Sequence, residues 1–269
     1  MKWNAAAVLA APLLLAQGLW VRRVTPKLPE AEGPREGLRL PVGAVGAVGA
    51  VGAVGAAGAT DAVDSTVAGD AASRGASELR LLIVGDSSAA GVGAAHQDEA
   101  LAGRLSAALA DELCLGVRWR LVARTGVTAR ELAALIDEAA PARFDIALIV
   151  VGVNDVTGLR SIRTWLADID ALAVRLRRIA PGARLVASGL PPVHRFPALP
   201  QPLRGFLGAR AIEFDAALGA WATGQTDALH VPIPDIDDPS LAASDGFHPG
   251  PGAYAVWAGA LARAIADQG

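Results

Sequence analysis

The sequence predicts an α/β domain, a parallel β-sheet with helices on both faces, preceded by an N-terminal extension of different character. Three observations carry this reading. Short apolar runs recur at 79–84, 117–123, 144–151, 183–188 and 228–233. Runs that are apolar throughout, without alternation, belong to strands buried on both faces. Between them, leucines and isoleucines recur at helical spacing: Leu101, Leu105 and Leu109; Leu132, Leu135 and Ile136; then Ile162, Leu166, Ile169, Leu172, Leu176 and Ile179. No such alternation exists before residue 79. Five strands alternating with five helices form βαβ units, whose crossovers require parallel pairing.

Local signals support the elements in order. Thr128 followed by Glu131 is a capping box that starts one helix, and Arg175, Arg177 and Arg178 before Pro181-Gly182 close another. Pro249 and Pro251 mark the start of the last helix. The single cysteine, Cys114, has no partner for an internal disulfide. In a Leu-rich segment it is expected as a small hydrophobe in the core.

The extension divides in two. Residues 1–23 contain a nearly unbroken apolar stretch at 5–21, preceded by Lys2 and followed by Arg22, Arg23 and Lys27. Its length lies at the lower limit for a membrane span and just above a signal-peptide core, so it reads as a signal peptide or membrane anchor. Ala16-Gln17-Gly18 offers a small-x-small cleavage site, and a core helix of the domain is the plain alternative. Residues 24–78 read as a flexible linker, with Pro26, Pro29, Pro34 and Pro41 followed by Val-Gly-Ala repeated five times from residue 42. As a random coil of about 50 residues it would span roughly 40 Å. The folded domain is then 79–269, expected to be held at or exported to the cell envelope with its membrane contact through the N-terminal segment. A net charge of −3 with interspersed signs offers no basic stripe, which excludes nucleic acid as a partner.

Parallel sheets bind ligands at the carboxyl ends of their strands. Ser87 follows the first run, Gly126 the second, Gly152-Val153-Asn154-Asp155 the third, and Asp245-Gly246-Phe247-His248 the fifth. A serine hydroxyl needs a base, an orienting acid and oxyanion donors to act as a nucleophile. A histidine side chain can take the serine proton and return it to the leaving group, so His248 suits the base, and Asp245 three residues earlier could fix its tautomer. Taken alone, the same two residues also serve as caps of the last helix. Asn154 has only Asn4 as a fellow asparagine in the chain, and its amide could donate to an oxyanion. The N–H groups of Gly126 and Ser87 would join it. A turn role is the alternative for Asn154 and for Gly126. His194, in the proline-rich loop 191–197, is a candidate for substrate binding.

Together, Gly85-Asp86-Ser87, the glycine after the second strand, Gly152-x-Asn154-Asp155 and Asp245-x-x-His248 resemble the four blocks of the SGNH, or GDSL-type, hydrolases. The resemblance covers roughly 79–267. It implies a flavodoxin-like three-layer α/β/α sandwich with a five-stranded parallel sheet, esterase or acylhydrolase activity, and no metal or cofactor. By position it implies Ser87 as nucleophile, Asp245 and His248 as its partners, and Ser87, Gly126 and Asn154 as oxyanion donors. Asp86 and Asp155 are expected to hold their loops by hydrogen bonds. The expected substrate is a small-molecule, lipid or carbohydrate ester.

Other readings compete. The glycines after Ser87 lack the spacing of a dinucleotide fingerprint, and no Gly-Lys-Ser/Thr follows for a phosphate loop. Ser87 is not in a GxSxG elbow, which excludes an ordinary α/β-hydrolase. An O-acyltransferase on envelope carbohydrate would use the same acyl-enzyme. A catalytically silent binding domain would have no need of all four side chains.

Overall fold

The computed structural model describes residues 5–42, 78–235 and 238–268. Beyond Val42, the Val-Gly-Ala repeat lies outside the described residues. The order of elements is α1 (Ala5–Val24), β1 (Glu36–Arg39), β2 (Glu78–Gly85), α2 (Leu101–Leu113), β3 (Gly116–Ala123), α3 (Ala129–Ala139) and β4 (Ile146–Val150). It continues with α4 (Val153–Thr157), α5 (Ile162–Ile179), β5 (Arg184–Ser188), α6 (Leu203–Thr223), β6 (Ala228–Val231) and α7 (Pro251–Ala266).

The strands form one sheet in the order β1-β3-β2-β4-β5-β6. The five strands expected from the apolar runs are β2 to β6, and they pair in parallel. Their order, with the first strand between the second and third, is that of flavodoxin-like sheets, and the chain reverses direction across the sheet between β2 and β4. The side chains of β2 show why both faces must be covered. Leu81 and Ile83 enter one core with α2 and α7, whereas Leu82 and Val84 enter the other with α3, α5 and α6. Alternate residues of a strand point to opposite faces, so a strand between two helix layers has to be apolar at every position.

Three expectations are corrected: the strand count, the start of the linker and the place of Cys114. The sheet has six strands, not five, because β1 adds antiparallel to β3 with Gly37 opposite Trp119. Its sequence, Glu-Gly-Leu-Arg, has no apolar pattern because an edge strand is held by its neighbour's hydrogen bonds and faces solvent on one side. Residues 24–42, expected as the start of a flexible linker, are therefore part of the domain. Residues 5–21 do form a helix, but among the described residues no helix is long and apolar enough to cross a membrane. In this structure α1 docks on α6. Leu14 and Val21 bury in the same core as Leu203 and Leu207, and the Gln17 side chain donates to the Gln201 carbonyl at 2.7 Å. Gln17 Oε1 also accepts the Leu203 N–H at 3.1 Å, satisfying one of the free donors of the first turn of α6. Finally, Cys114 is exposed, not in the core. It caps the end of α2 with a left-handed backbone (φ 52°), beyond the last turn that packs on the sheet.

Candidate active site

The strand β2 ends at Gly85, where a Cβ would run into the Val150 carbonyl oxygen and the Ala89 methyl. Only glycine lets the turn after β2 fold back this closely on β4. Ser87 then opens a series of tight turns. Its carbonyl accepts the Val92 N–H at 3.0 Å, and the Asp86 carbonyl accepts the Ala90 N–H at 2.9 Å. The buried Tyr254 of α7, the chain's single tyrosine, donates its hydroxyl to the Val92 carbonyl at 2.7 Å and ties this turn to the helix below.

His248 precedes α7 and points back across the sheet edge. Its Nε2 lies 2.9 Å from Ser87 Oγ, and its Nδ1 lies 2.6 Å from Asp245 Oδ2. A carboxylate so close to Nδ1 keeps a proton there, which leaves the Nε2 lone pair facing the serine. Asp245 is almost wholly buried, its side chain 1% exposed. Its Oδ1 accepts the backbone N–H groups of Phe247 at 2.9 Å and His248 at 3.0 Å. Burial acts to raise its pKa, yet the hydrogen bonds from the His248 ring and the two N–H groups outweigh it and hold the carboxyl below its ordinary value. The alternative reading, a cap of the last helix, is not what the pair does: the N-cap of α7 is Gly250 and receives no side-chain hydrogen bond, while the three Asp245 contacts hold the preceding turn and fix the imidazole.

Asn154 lies in the short helix α4 that follows β4. One of its two amide hydrogens goes to the Val127 carbonyl at 3.0 Å, which leaves the second free to donate. Gly126 occupies the turn after β3 with φ +85°. The Val127 N–H reaches the Arg124 carbonyl at 3.4 Å across this turn, so Gly126 takes the position where a type II turn needs a positive φ. Ser87, Gly126, Asn154 and His248 all line one cavity of about 500 Å³. It opens at the carboxyl ends of β2 and β4, where the strand order reverses. The other walls are chiefly apolar, built by Pro191, Phe196, Ile233, Leu241 and Trp257.

His194 is a correction. Val193–Arg195 form a single turn of 3-10 helix in which successive side chains diverge, so that Arg195 reaches the cavity and His194 does not. His194 packs instead on α6 at Gly208, where a Cβ would strike it. The wall residues Trp257 and Ile233 carried no sequence signal beyond their apolar character, since nothing local separates a cavity wall from a core position.

The two loop aspartates do hold loops. Asp86 Oδ1 accepts the Ser88 N–H at 3.1 Å, and burial, the dominant cause, pushes its pKa up to about 7, with the nearby Asp155 adding to the rise. Asp155 Oδ2 accepts the Ala129 N–H of the first turn of α3 at 3.0 Å. Burial raises its pKa to about 6 against the pull of that bond and of Arg160. Arg160 Nε stands 3.3 Å from Asp155 Oδ1 as a charge contact without hydrogen-bond alignment. Among the described residues no group of three His, Cys, Asp or Glu side chains could hold a metal ion.

The model of the GDSL-like lipase/acylhydrolase family matches residues 83–256, from β2 into α7. The chain belongs to this family. The four strand-end blocks of this GDSL-like chain therefore fall within the matched segment, while α1, β1 and the residues joining them precede it. A GDSL-like esterase of Mycobacterium tuberculosis is 29% identical over 203 residues, which is 71% of this chain and 62% of that protein, so the match leaves more than a third of the relative's length uncovered. A lipase from a goat rumen metagenome has the same fold at a TM-score of 0.58 and 15% identity, over 69% of this chain and 97% of its own. A carbohydrate acetylesterase from Sinorhizobium meliloti matches at 0.55 and 15%, over 71% of this chain and 100% of its own. At such identities these two likenesses concern the fold alone.

Proposed function

We propose that the protein hydrolyses carboxylic esters through an acyl-Ser87 intermediate. The observation that carries this is the continuous chain from Asp245 through His248 to Ser87, ending in an apolar cavity. Ser87 Oγ attacks the ester carbonyl carbon while His248 Nε2 takes the hydroxyl proton. The carbonyl oxygen becomes an oxyanion, stabilised by the N–H groups of Ser87 and Gly126 and by the Asn154 amide, which line the same cavity. Collapse of this intermediate breaks the bond to the alcohol, which leaves with the proton from His248. Water then attacks the acyl carbon, its proton passes to His248, and Ser87 regains that proton as the acid is released. Asp245 stays ionised and stabilises the imidazolium formed in each half-reaction.

The apolar walls favour esters with an apolar acyl or alcohol group, because burying that group against them supplies about 25 cal/mol for each Å² removed from water. A series of p-nitrophenyl esters of increasing chain length, with fluorophosphonate labelling in parallel, tests both parts. Labelling with turnover that rises with chain length and then falls is expected. No labelling and no turnover across the series refutes the reading. Product analysis with and without a carbohydrate acceptor distinguishes hydrolysis from acyl transfer.

A further inference from the structure

The residues between α1 and β1 lie outside the family-matched segment 83–256, yet they are tied to both turns that the proposed mechanism uses. On one side they grip the nucleophile turn. The Ala31 N–H donates to the Ala90 carbonyl at 3.2 Å. The buried Gln97 closes the contact, its side-chain amide donating to the carbonyls of Ala31 at 3.3 Å and Ala90 at 3.1 Å. On the other side they grip the turn that holds Gly126. Glu30 Oε1 accepts the Thr125 backbone N–H at 2.7 Å and the Thr125 hydroxyl at 2.9 Å. Arg35 braces the carboxylate, donating to Glu30 Oε2 at 2.9 Å and to the Ala123 carbonyl at 2.5 Å.

The turn is otherwise held at its two ends, by the Arg124 N–H on the Gly85 carbonyl at 3.3 Å and by the Asn154 amide on the Val127 carbonyl at 3.0 Å, whereas Glu30 grips its middle. No heavy atom lies within 4 Å of where a Gly126 Cβ would stand, so this side of the residue is open space. The hydrogen bond across the turn, at 3.4 Å, is long. Thr125 and Gly126 share the peptide whose N–H would meet the oxyanion, and Glu30 binds the N–H on the other side of Thr125. Partial burial acts to raise the Glu30 pKa, but the bonds from Thr125 and Arg35 outweigh it and hold the carboxyl below its ordinary value.

We propose that Glu30 and Arg35 are positioning residues for the oxyanion hole: one N-terminal strap joins the Ser87 turn to the Thr125–Gly126 turn and so aims the Gly126 N–H. The proposal rests on the reading of Ser87 as the nucleophile. A donor misplaced by about 1 Å can cost on the order of 10²-fold in rate without weakening substrate binding.

The test uses the full-length chain. For Glu30→Ala we expect kcat on a p-nitrophenyl ester to fall about tenfold to 10²-fold with KM within about twofold, a split expected when only transition-state contacts are lost. Amide hydrogen exchange at Thr125 should accelerate. Glu30→Gln, which keeps an oxygen for Thr125, should recover most of the lost kcat. Should Glu30→Ala fail to fold, Arg35→Met releases the same carboxylate and carries the same expectation at a loss of about threefold or more. Unchanged kcat, unchanged exchange at Thr125, or a rise in KM alone each overturns the proposal. If the parent shows no Ser87-dependent turnover, the esterase reading fails instead, and the exchange measurement still decides whether Glu30 holds the turn.

Discussion

His248 Nε2 lies 2.9 Å from Ser87 Oγ although 161 positions separate them in sequence. The sheet brings them together. Ser87 leaves the carboxyl end of β2, while His248 immediately precedes α7, which packs on α2 and β2 in one core. The Tyr254 hydroxyl bond to Val92 fastens the two segments to each other.

Ser87→Ala should abolish fluorophosphonate labelling and lower ester hydrolysis by at least about 10⁴-fold. Ser88→Ala, one residue on, should retain both. Labelling that persists in Ser87→Ala but disappears in Ser88→Ala would move the nucleophile to its neighbour, and gel fluorescence with initial rates reads the outcome directly.

Asp245→Asn should leave the turn intact, since an amide oxygen can still accept the Phe247 and His248 N–H groups. Its NH₂ group, however, would face Nδ1 and drive the imidazole proton to Nε2, where it no longer accepts from Ser87. A loss of about 10⁴-fold in kcat is expected. The Asp245 carboxyl is held below its ordinary value, so its contribution to stability is present above that ordinary range and lost as pH falls through its folded-state value. Thermal melts should therefore show less acid-side loss for the variant than for the parent.

Asn154→Ala should slow turnover by about 10²-fold or more while slow fluorophosphonate labelling persists, because the nucleophile and its base remain. The variant also loses the amide bond to the Val127 carbonyl. Stopped-time labelling and steady-state kinetics on one preparation check the two halves; a variant that turns over at the parental rate removes Asn154 from the oxyanion hole.

Asp86 predicts a pH slope of the opposite sign. Its folded-state pKa is raised to about 7, so its stabilising contribution is complete below the ordinary carboxylate value and is lost as pH rises through about 7. Asp155, raised to about 6, acts in the same direction. The melting temperature of the parent should decline between about pH 4.5 and pH 7.5, and Asp86→Asn should flatten that decline whatever its absolute stability. Differential scanning fluorimetry across that window is the measurement, and an equal slope in both proteins excludes Asp86 as its source.

Much of the domain was legible because burial writes itself into local composition. A parallel strand covered on both faces has to be apolar at each position, which is why β2 to β6 stood out. Polar residues directly after such runs, Ser87 and Asn154 above all, were then conspicuous at the sheet edge. Legibility failed where the partner is distant. The four residues of β1 are a strand only because β3 supplies the ladder, and the apolar run of α1, which reads as a signal peptide or membrane anchor, gives no local hint that Leu14 and Val21 meet α6. His194 and Arg195 are adjacent in sequence, and only the direction of a single turn assigns Arg195 to the cavity and His194 to α6.

The layers, the parallel pairing of five strands and the identity of the polar groups at their ends are written in local pattern, because solvent exclusion and turn chemistry act over a few residues at a time. The alignment of Asp245, His248 and Ser87, the apolar walls of the cavity, and the strap that binds Thr125 through Glu30 emerge from the folded chain alone. Each of those depends on contacts between segments remote in sequence, and a hydrogen bond is made or lost within a few tenths of an ångström, a scale that residue pattern does not encode.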